Sequence, residues 1–129
     1  MEILQPSDWA KPRGYSNGVV ATGRIVFIAG QIGWNSQQQF EALDFVGQSR
    51  QALANILAVL AETGGEAQHI TRMVWYVVDK HEYMAAGKEL GAVYRELMGK
   101  HYPAMTAVQV VALMEDKARV EIEAVAVIP

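Results

Sequence analysis

The last quarter of the chain contains two β-type runs, YPAMTAVQV at residues 102–110 and RVEIEAVAV at residues 119–127, joined through a polar turn. Because side chains alternate between the two faces of a strand, Arg119, Glu121 and Glu123 share one face of the second run, and the other face is apolar. Acidic side chains are uncommon in strands and are rarely buried without a partner. The charged face therefore meets either water or a polar interface, and either can hold a functional site.

Length and composition place the chain among single-domain proteins. Its 129 residues are enough to bury a core, and residues 1–129 are expected to form one domain. No apolar run approaches the roughly 20 residues that span a membrane, and the first residues lack the basic start of a signal peptide. The chain has no cysteine, which excludes disulfides and thiolate metal sites and fits a reducing compartment. We expect a cytoplasmic protein with no membrane association.

Charge and motif content argue against several classes of function. The net charge is −3 and no run of Lys or Arg occurs, whereas nucleic acid binding normally requires a basic patch. His69, His81 and His101 are far apart in sequence and have no second ligand at the spacing of a zinc site, so no metal is expected. No glycines are arranged to cradle a phosphate. The sequence therefore predicts neither nucleic acid binding nor a cofactor.

Periodicity predicts the element order ββαβαββ. The first helix is expected to begin after the capping residue Asp44 and to end before the pair Gly64-Gly65, and Gly99 is expected to close the second. Apolar residues recur at helical spacing along the first helix: Phe45, Ala52, Leu53, Ile56 and Leu60. The first two strands read as a hairpin-like pair around Thr22-Gly23. The predicted elements are strands at 15–21 and 24–29, a helix from 45 to about 60, a strand at 70–78, a helix at about 81–98, and the two closing strands.

Two amphipathic helices on one side of a sheet would leave its other face bare. Layered α+β domains are built in this way, and right-handed crossovers place both helices on the same side. The bare face would carry Trp75 or Tyr76, depending on register, together with the charged stripe of residues 119–123. Self-association is the commonest way to cover a mixed patch of this kind, and the alternative is a solvated face.

The combination of several segments closely resembles the RidA/YjgF family, in the right order and over essentially the whole domain. The segments are Tyr15–Gly18, Phe27–Ile32, Gln48–Leu60 with Asn55, Pro103-Ala104 and Val120–Ala126. The resemblance implies a chorismate-mutase-like α+β fold, a mixed sheet with two helices on one face, and a barrel-like homotrimer with clefts between subunits. Well-known members hydrolyse reactive enamines and imines derived from amino acids, releasing ammonia and a keto acid. Older labels for members include endoribonuclease L-PSP and translation inhibitor.

The chain departs from the family pattern at positions that bind an amino-acid-like substrate. In deaminating members an arginine follows Pro-Ala and grips the substrate carboxylate through two hydrogen bonds, and here that residue is Met105. Ala29 stands where a serine is common, and Gly91 aligns with an asparagine. Loss of the bidentate pair removes about 2–5 kcal/mol of substrate interaction. Three other arginines are candidates for the anion contact: Arg13, Arg50 and Arg119.

Part of the family's catalytic pattern is retained. The resemblance implies that Glu121 positions or activates the water, and the backbone amides near Gly30 and Gln31 are candidates to hold a substrate oxygen. The alternative for Glu121 is a structural salt bridge to an arginine across a subunit interface. Glu123 receives no catalytic role from the resemblance and is expected to be structural.

The remaining candidates would shape the substrate pocket. Tyr15 matches an aromatic residue at the cleft mouth, and its alternative role is packing with a hydrogen-bonded hydroxyl. Trp34 follows the cleft segment and, with Met105, would make the pocket wider and more apolar. The alternative for Trp34 is that it packs under a loop.

Two functions of different classes follow from these residues. The first is a trimeric hydrolase of an enamine or imine other than the simple 2-iminoalkanoates, with Glu121 holding the water. The second is a non-catalytic trimer that binds a small metabolite or a partner protein. Met105 favours the second, and the retained Glu121 with the Gly30-Gln31 turn favours the first. An endoribonuclease is a distant third, because it would need a basic groove.

Overall fold

A computed structural model describes all 129 residues as six strands, three α-helices and one 3₁₀ turn. The strands are β1 (Glu2–Leu4), β2 (Gly18–Val20), β3 (Arg24–Ile32), β4 (Ile70–Val77), β5 (Ala104–Gln109) and β6 (Val120–Ile128). The helices are α1 (Phe45–Ala61), α2 (Lys80–Ala85) and α3 (Gly87–Met98), and the 3₁₀ turn is Ala67–His69. None of the helices has both the length and the apolar character needed to cross a membrane.

The main sheet is mixed and has the strand order β3-β6-β4-β5. The last strand, β6, lies in the middle and is antiparallel to both β3 and β4, whereas β5 is parallel to β4 at the edge. The two closing runs of the sequence are therefore separated by β4 and do not pair with each other. This mixed sheet with helices on one face confirms the predicted α+β fold.

Both long helices cover the same face of the sheet, which we call the helix face. The apolar positions predicted for α1 are all buried in one core: Phe45, Ala52, Leu53, Ile56 and Leu60. Alternate residues of β6, from Val120 to Ile128, meet them from the sheet. Asp44 caps α1 as predicted, because its carboxylate accepts a hydrogen bond of 2.9 Å from the backbone N–H of Gly47.

The predicted hairpin between the first two strands is wrong. Residues 18–20 pair with Glu2–Leu4 in a separate two-stranded sheet, and the segment before them joins the main sheet at a parallel bridge between Ser16 and Ala104. Gly23 passes so close to the end of β6 that a Cβ there would lie 2.1 Å from the carbonyl oxygen of Ile128. The chain therefore turns into β3 at Gly23 without folding back on β2.

The second predicted helix consists of two helices. Ala86 has φ −87° and ψ 4°, which ends α2, and the N–H of Leu90 then bonds to the carbonyl of Ala86 to begin α3. Gly87 follows directly, and glycine weakens a helix interior. Gly99, with a φ of +68°, closes α3 as predicted.

The opposite face of the sheet, which we call the outer face, is bare and largely apolar. Phe27 is 78% exposed and Ile25 is 60% exposed on β3, although both are large hydrophobic residues in a strand. The register places Tyr76 opposite Glu121, so Tyr76 joins this face, whereas Trp75 is 4% exposed on the helix face. The register thus settles the choice between the two aromatic residues that the sequence left open.

Candidate functional site

Glu121 lies on the outer face with its carboxylate against the backbone of β3. The pairing of β3 with β6 is irregular between Ile28 and Gln31, and a Cβ built on Gly30 would lie 2.1 Å from Oε2 of Glu121. Only glycine allows this approach. Glu121 forms no salt bridge and, with Gly30, Tyr76 and Met114, lines a cavity of about 340 Å³. The structure therefore brings together two of the residues that the sequence proposed for the site.

Glu123, two residues further along β6, has a partner that Glu121 lacks. The hydroxyl of Tyr76 donates a hydrogen bond to its carboxylate. This hydrogen bond raises the pKa of Tyr76, so the phenol stays protonated and continues to donate. Both carboxylates line the cavity, but Glu123 is bound to Tyr76, in line with its expected structural role, whereas Glu121 has no partner.

Tyr15 and Met105 lie together at the other end of the sheet, in a small cleft of about 150 Å³. Ser16 fixes this region, because its N–H donates to the carbonyl of Pro103 at 3.0 Å and its hydroxyl donates to the carbonyl of Tyr102. The parallel bridge between Ser16 and Ala104 holds the segment of Tyr15 along the edge strand β5, where Tyr15 and Met105 both line the cleft.

Arg72 is a residue of this cleft that the sequence analysis did not consider. It lies on β4 opposite Ala104, lines the cleft with Tyr15 and Met105, and forms no ion pair. Its position two residues before Val74 and four before Tyr76 places it on the outer face. The alternation of side chains along β4 could have placed Arg72 on the outer face from sequence. Only the register with β5 shows that it lies beside the cleft of Tyr15 and Met105.

Two of the three arginines considered from sequence are occupied elsewhere. Arg50 pairs with Glu96 on α3, and Arg119 makes a bidentate contact with Glu82 at 2.7–3.4 Å. The hydrogen bond to Glu82 raises the pKa of Arg119. Arg13 is exposed and forms no ion pair.

Gln31 and Trp34 are not gathered with Tyr15 and Met105 within one chain. The side-chain amide of Gln31 donates to the carbonyl of Ala29 at 3.1 Å. Trp34 is half-buried, its ring centroid lies 6.0 Å from that of Phe40, and it lines a separate cavity beside the 115–117 loop. No group of three or more His, Cys, Asp or Glu side chains is arranged to hold a metal ion.

A larger cavity of about 500 Å³ lies on the helix side of the sheet edge, between β5 and the helices α2 and α3. Its wall is aromatic: the rings of Tyr94 and Tyr102 stack at 5.3 Å, and Trp75 meets Tyr83 edge-on at 6.3 Å. Met105 lines both this cavity and the small cleft with Tyr15. This cavity was not predicted from the sequence.

A buried glutamine ties α1 to the beginning of β6 and so to Glu121. Gln48 is fully buried, its amide donates to the carbonyl of Lys117 at 2.9 Å, and its Oε1 accepts from the N–H of Arg119 at 2.7 Å. Gly33 packs against it, since a Cβ there would lie 2.6 Å from Cα of Gln48. These contacts hold the loop that leads into β6.

The sequence matches the family model described as Endoribonuclease L-PSP over residues 8–128, nearly the whole chain. The chain belongs to the RidA/YjgF family. A RutC family protein of Pyrococcus horikoshii is 31% identical over 126 residues, which cover 97% of this chain and 96% of that protein. A 2-iminobutanoate/2-iminopropanoate deaminase of Capra hircus is 32% identical over 88% of this chain and 79% of its own length.

The fold comparison agrees with this RidA/YjgF assignment. A protein of unknown function from Yersinia pestis, described as YyfB of the Rid protein family, superimposes with a TM-score of 0.85 at 30% identity. The superposition covers 98% of each chain. The family resemblance read from the sequence is thereby confirmed.

Within one RidA/YjgF chain the proposed site residues form two separate groups. Glu121 is opposite Tyr76 on the outer face, whereas Met105 is opposite Met73, which is buried on the helix face. Residues 73 and 76 of a regular strand point to opposite sides. Glu121 and Met105 of the same chain therefore cannot contact the same small molecule.

Proposed function

We propose that this RidA/YjgF chain is a cytoplasmic hydrolase that deaminates a reactive enamine or imine, and that its substrate is not a simple 2-iminoalkanoate. The support comes from the deaminase relative of Capra hircus, from Glu121, and from the replacement of the expected arginine by Met105. The water-binding group and the substrate-binding group act together in a cleft between subunits.

The observation that carries the proposal is the free carboxylate of Glu121. It lines a cavity beside the backbone of Gly30 and has no ion-pair partner, whereas the neighbouring Glu123 is hydrogen-bonded to Tyr76. A carboxylate that lines a cavity without a cationic partner is suited to accept a proton from a water molecule. The structural alternative for Glu121, a salt bridge to an arginine of a neighbouring subunit, predicts instead that its removal weakens the assembly and leaves the chemistry intact.

The reaction needs little beyond a positioned water. The protonated imine carbon is electrophilic, and Glu121 accepts a proton as the water oxygen forms a bond to that carbon. Glu121 then returns this proton to the nitrogen of the carbinolamine, the hydroxyl loses its proton to water, and the C–N bond breaks, so that ammonia and a keto acid or ketone leave. The backbone amides near Gly30 are the candidates to hold the oxygen of the carbinolamine.

Hydrolysis of trapped imines tests the proposed activity. An amino-acid oxidase generates imines from alanine, leucine and phenylalanine, semicarbazide captures the imine that escapes, and the fall in semicarbazone measures enzymatic hydrolysis. We expect the wild type to hydrolyse one of the larger imines. Its activity on 2-iminopropanoate should be at least about thirtyfold below that of Met105→Arg, because the bidentate arginine contact with the substrate carboxylate is missing. Met105→Arg is expected to raise the activity on 2-iminopropanoate.

The outcomes separate the two candidate functions. Activity of the wild type on 2-iminopropanoate above that on the larger imines would contradict the proposed substrate. No hydrolysis of any imine would favour the second candidate, a trimer that binds a small metabolite or a partner protein without catalysis. The specific observation in favour of that candidate is Met105, which cannot bind a carboxylate as a guanidinium does.

We further propose that the protein is a homotrimer whose subunits join the two groups of site residues. The outer face of one chain would bring Glu121 and Gly30, and the sheet edge of the next chain would bring Tyr15, Met105 and the larger cavity. The exposed apolar residues of the outer face support this arrangement, since monomeric proteins seldom expose such patches.

A charge on the outer face is expected to dissociate the assembly. Light scattering of the wild type should give about three times the chain mass of 14.2 kDa. Phe27→Asp, which adds a charge to a side chain that is 78% exposed on this face, should give a monomer with native circular dichroism. Val59→Asp is the matched control, because Val59 is an exposed apolar residue of α1, and it should remain trimeric. A monomeric wild type would refute the proposal.

A further inference from the structure

The large cavity beside Met105 has the composition of a binding site for an apolar acid. Its volume of about 500 Å³ lies in the range of small-molecule sites, and most of its wall is hydrophobic. The hydroxyl of Tyr94 donates to the carbonyl of His101 at 2.8 Å, and burial raises its pKa, so this ring presents a neutral wall. An aromatic or branched side chain would pack well here.

Two cations stand at the rim of this cavity without partners. Lys88 and Arg95 on α3 both line it, neither forms an ion pair, and no acidic side chain lines it. Arg50, by contrast, is an arginine beside α3 whose guanidinium is already paired, with Glu96. An anionic group attached to an apolar body would therefore find complementary charge at one side.

Two glycines keep the helix side of the cavity open. A Cβ on Gly87 or Gly91 would meet nothing within 4 Å, although both residues lie in a helix, where glycine is unfavourable. The backbone at these two positions does not require glycine, so the feature that they share is the open space beside them. The indole N–H of Trp75, whose ring contributes to the wall, is buried and has no acceptor in the protein.

We infer that this cavity binds the side chain of a bulky, apolar 2-imino acid, aromatic or branched, and that Lys88 and Arg95 attract its carboxylate in place of the missing arginine. This inference rests on the proposed function and names its substrate class. The small cleft with Tyr15 would be too small for the same side chain, since its volume is about 150 Å³. Met105 lies between the two and contacts the apolar part of the substrate.

Calorimetric binding of stable 2-oxo acids, the hydrolysis products, tests the inference without requiring catalysis. The wild type is expected to bind 2-oxo-3-phenylpropanoate at least about tenfold more tightly than 2-oxopropanoate, because the phenyl ring fills the cavity. Gly91→Leu, which places a side chain into open space and favours the helix, should remove most of this preference while the thermal unfolding temperature is kept or raised.

A second set of variants tests the rim cations. The pair Lys88→Gln and Arg95→Gln is expected to weaken binding of the phenyl acid about two- to tenfold and to leave binding of the neutral phenylacetone unchanged. Arg24→Gln is the matched control, because Arg24 is an exposed arginine at the start of β3, on the far edge of the sheet. It should bind as the wild type does.

The possible results distinguish a failure of the inference from a failure of the proposed function. Equal affinity for the two acids, or a preference unaffected by Gly91→Leu, would overturn the inference even if imines are hydrolysed. A clear preference abolished by Gly91→Leu, in a protein that hydrolyses no imine, would uphold the cavity as a binding site and refute the enzymatic function.

Discussion

Glu121→Gln is expected to lower kcat for imine hydrolysis by about 10²–10⁴-fold and to change KM much less. The amide keeps the size of the side chain and its place against Gly30, but it cannot accept the proton of the attacking water. Semicarbazide competition with the best imine of the panel provides the measurement. A loss confined to kcat is the signature of a group that acts in the transition state rather than in binding.

Glu123→Gln is the matched control for this variant. It removes the same charge from the same face, two residues along β6, at a carboxylate whose partner is Tyr76. We expect its kcat to remain within about tenfold of the wild type, because glutamine still accepts the hydrogen bond of the phenol. Equal effects of the two substitutions would mean that the face needs negative charge in general, and full activity of Glu121→Gln would refute its role in holding water.

Gln48→Leu is expected to lower the free energy of unfolding by about 2–5 kcal/mol. Leucine fills a similar volume and suits a helix, but it leaves the carbonyl of Lys117 and the N–H of Arg119 without their hydrogen-bond partner. Guanidinium unfolding followed by circular dichroism measures the change, with wild type and variant at equal chain concentration because an oligomer's stability depends on it.

Gln68→Leu is the corresponding control. Gln68 is exposed and its amide bonds only to the side chain of Glu66, so a change within about 0.5 kcal/mol is expected. If Gln48→Leu is as stable as this control, the hydrogen bonds of Gln48 do not hold the loop before β6. A loss of stability with full imine hydrolysis at low temperature would show that Gln48 supports the fold without tuning Glu121.

Local features of the sequence predicted the helices and strands with regular patterns. Asp44 and the spacing of Phe45, Leu53 and Leu60 predicted α1, because a cap and a helical stripe depend on residues a few positions apart. The same reasoning placed a single helix over residues 81–98 and missed the break at Ala86, which no strong breaker marks. The hairpin around Thr22-Gly23 failed because strand pairing depends on distant partners.

The candidate site was predictable as a set of residues but not as an arrangement. Glu121 and Gly30 were proposed from sequence, and the structure brings them together through the irregular pairing of β3 with β6. Met105 was proposed for the same pocket but faces the other side of the sheet. Arg72 was overlooked because it is an ordinary strand arginine until the register with β5 places it beside the cleft.

The sequence by itself determined the α+β class, the family, and the absence of a guanidinium at position 105, since these depend on residue identity and short-range periodicity. Only the tertiary structure decided that β6 lies between β3 and β4, that Glu121 is free while Glu123 is bound to Tyr76, and that an aromatic cavity opens beside Met105. Strand order and register pair residues that are more than a hundred positions apart, such as Arg24 and Ile128. The resulting contacts and cavities depend on the packing of the whole chain, so a local sequence pattern does not predict them.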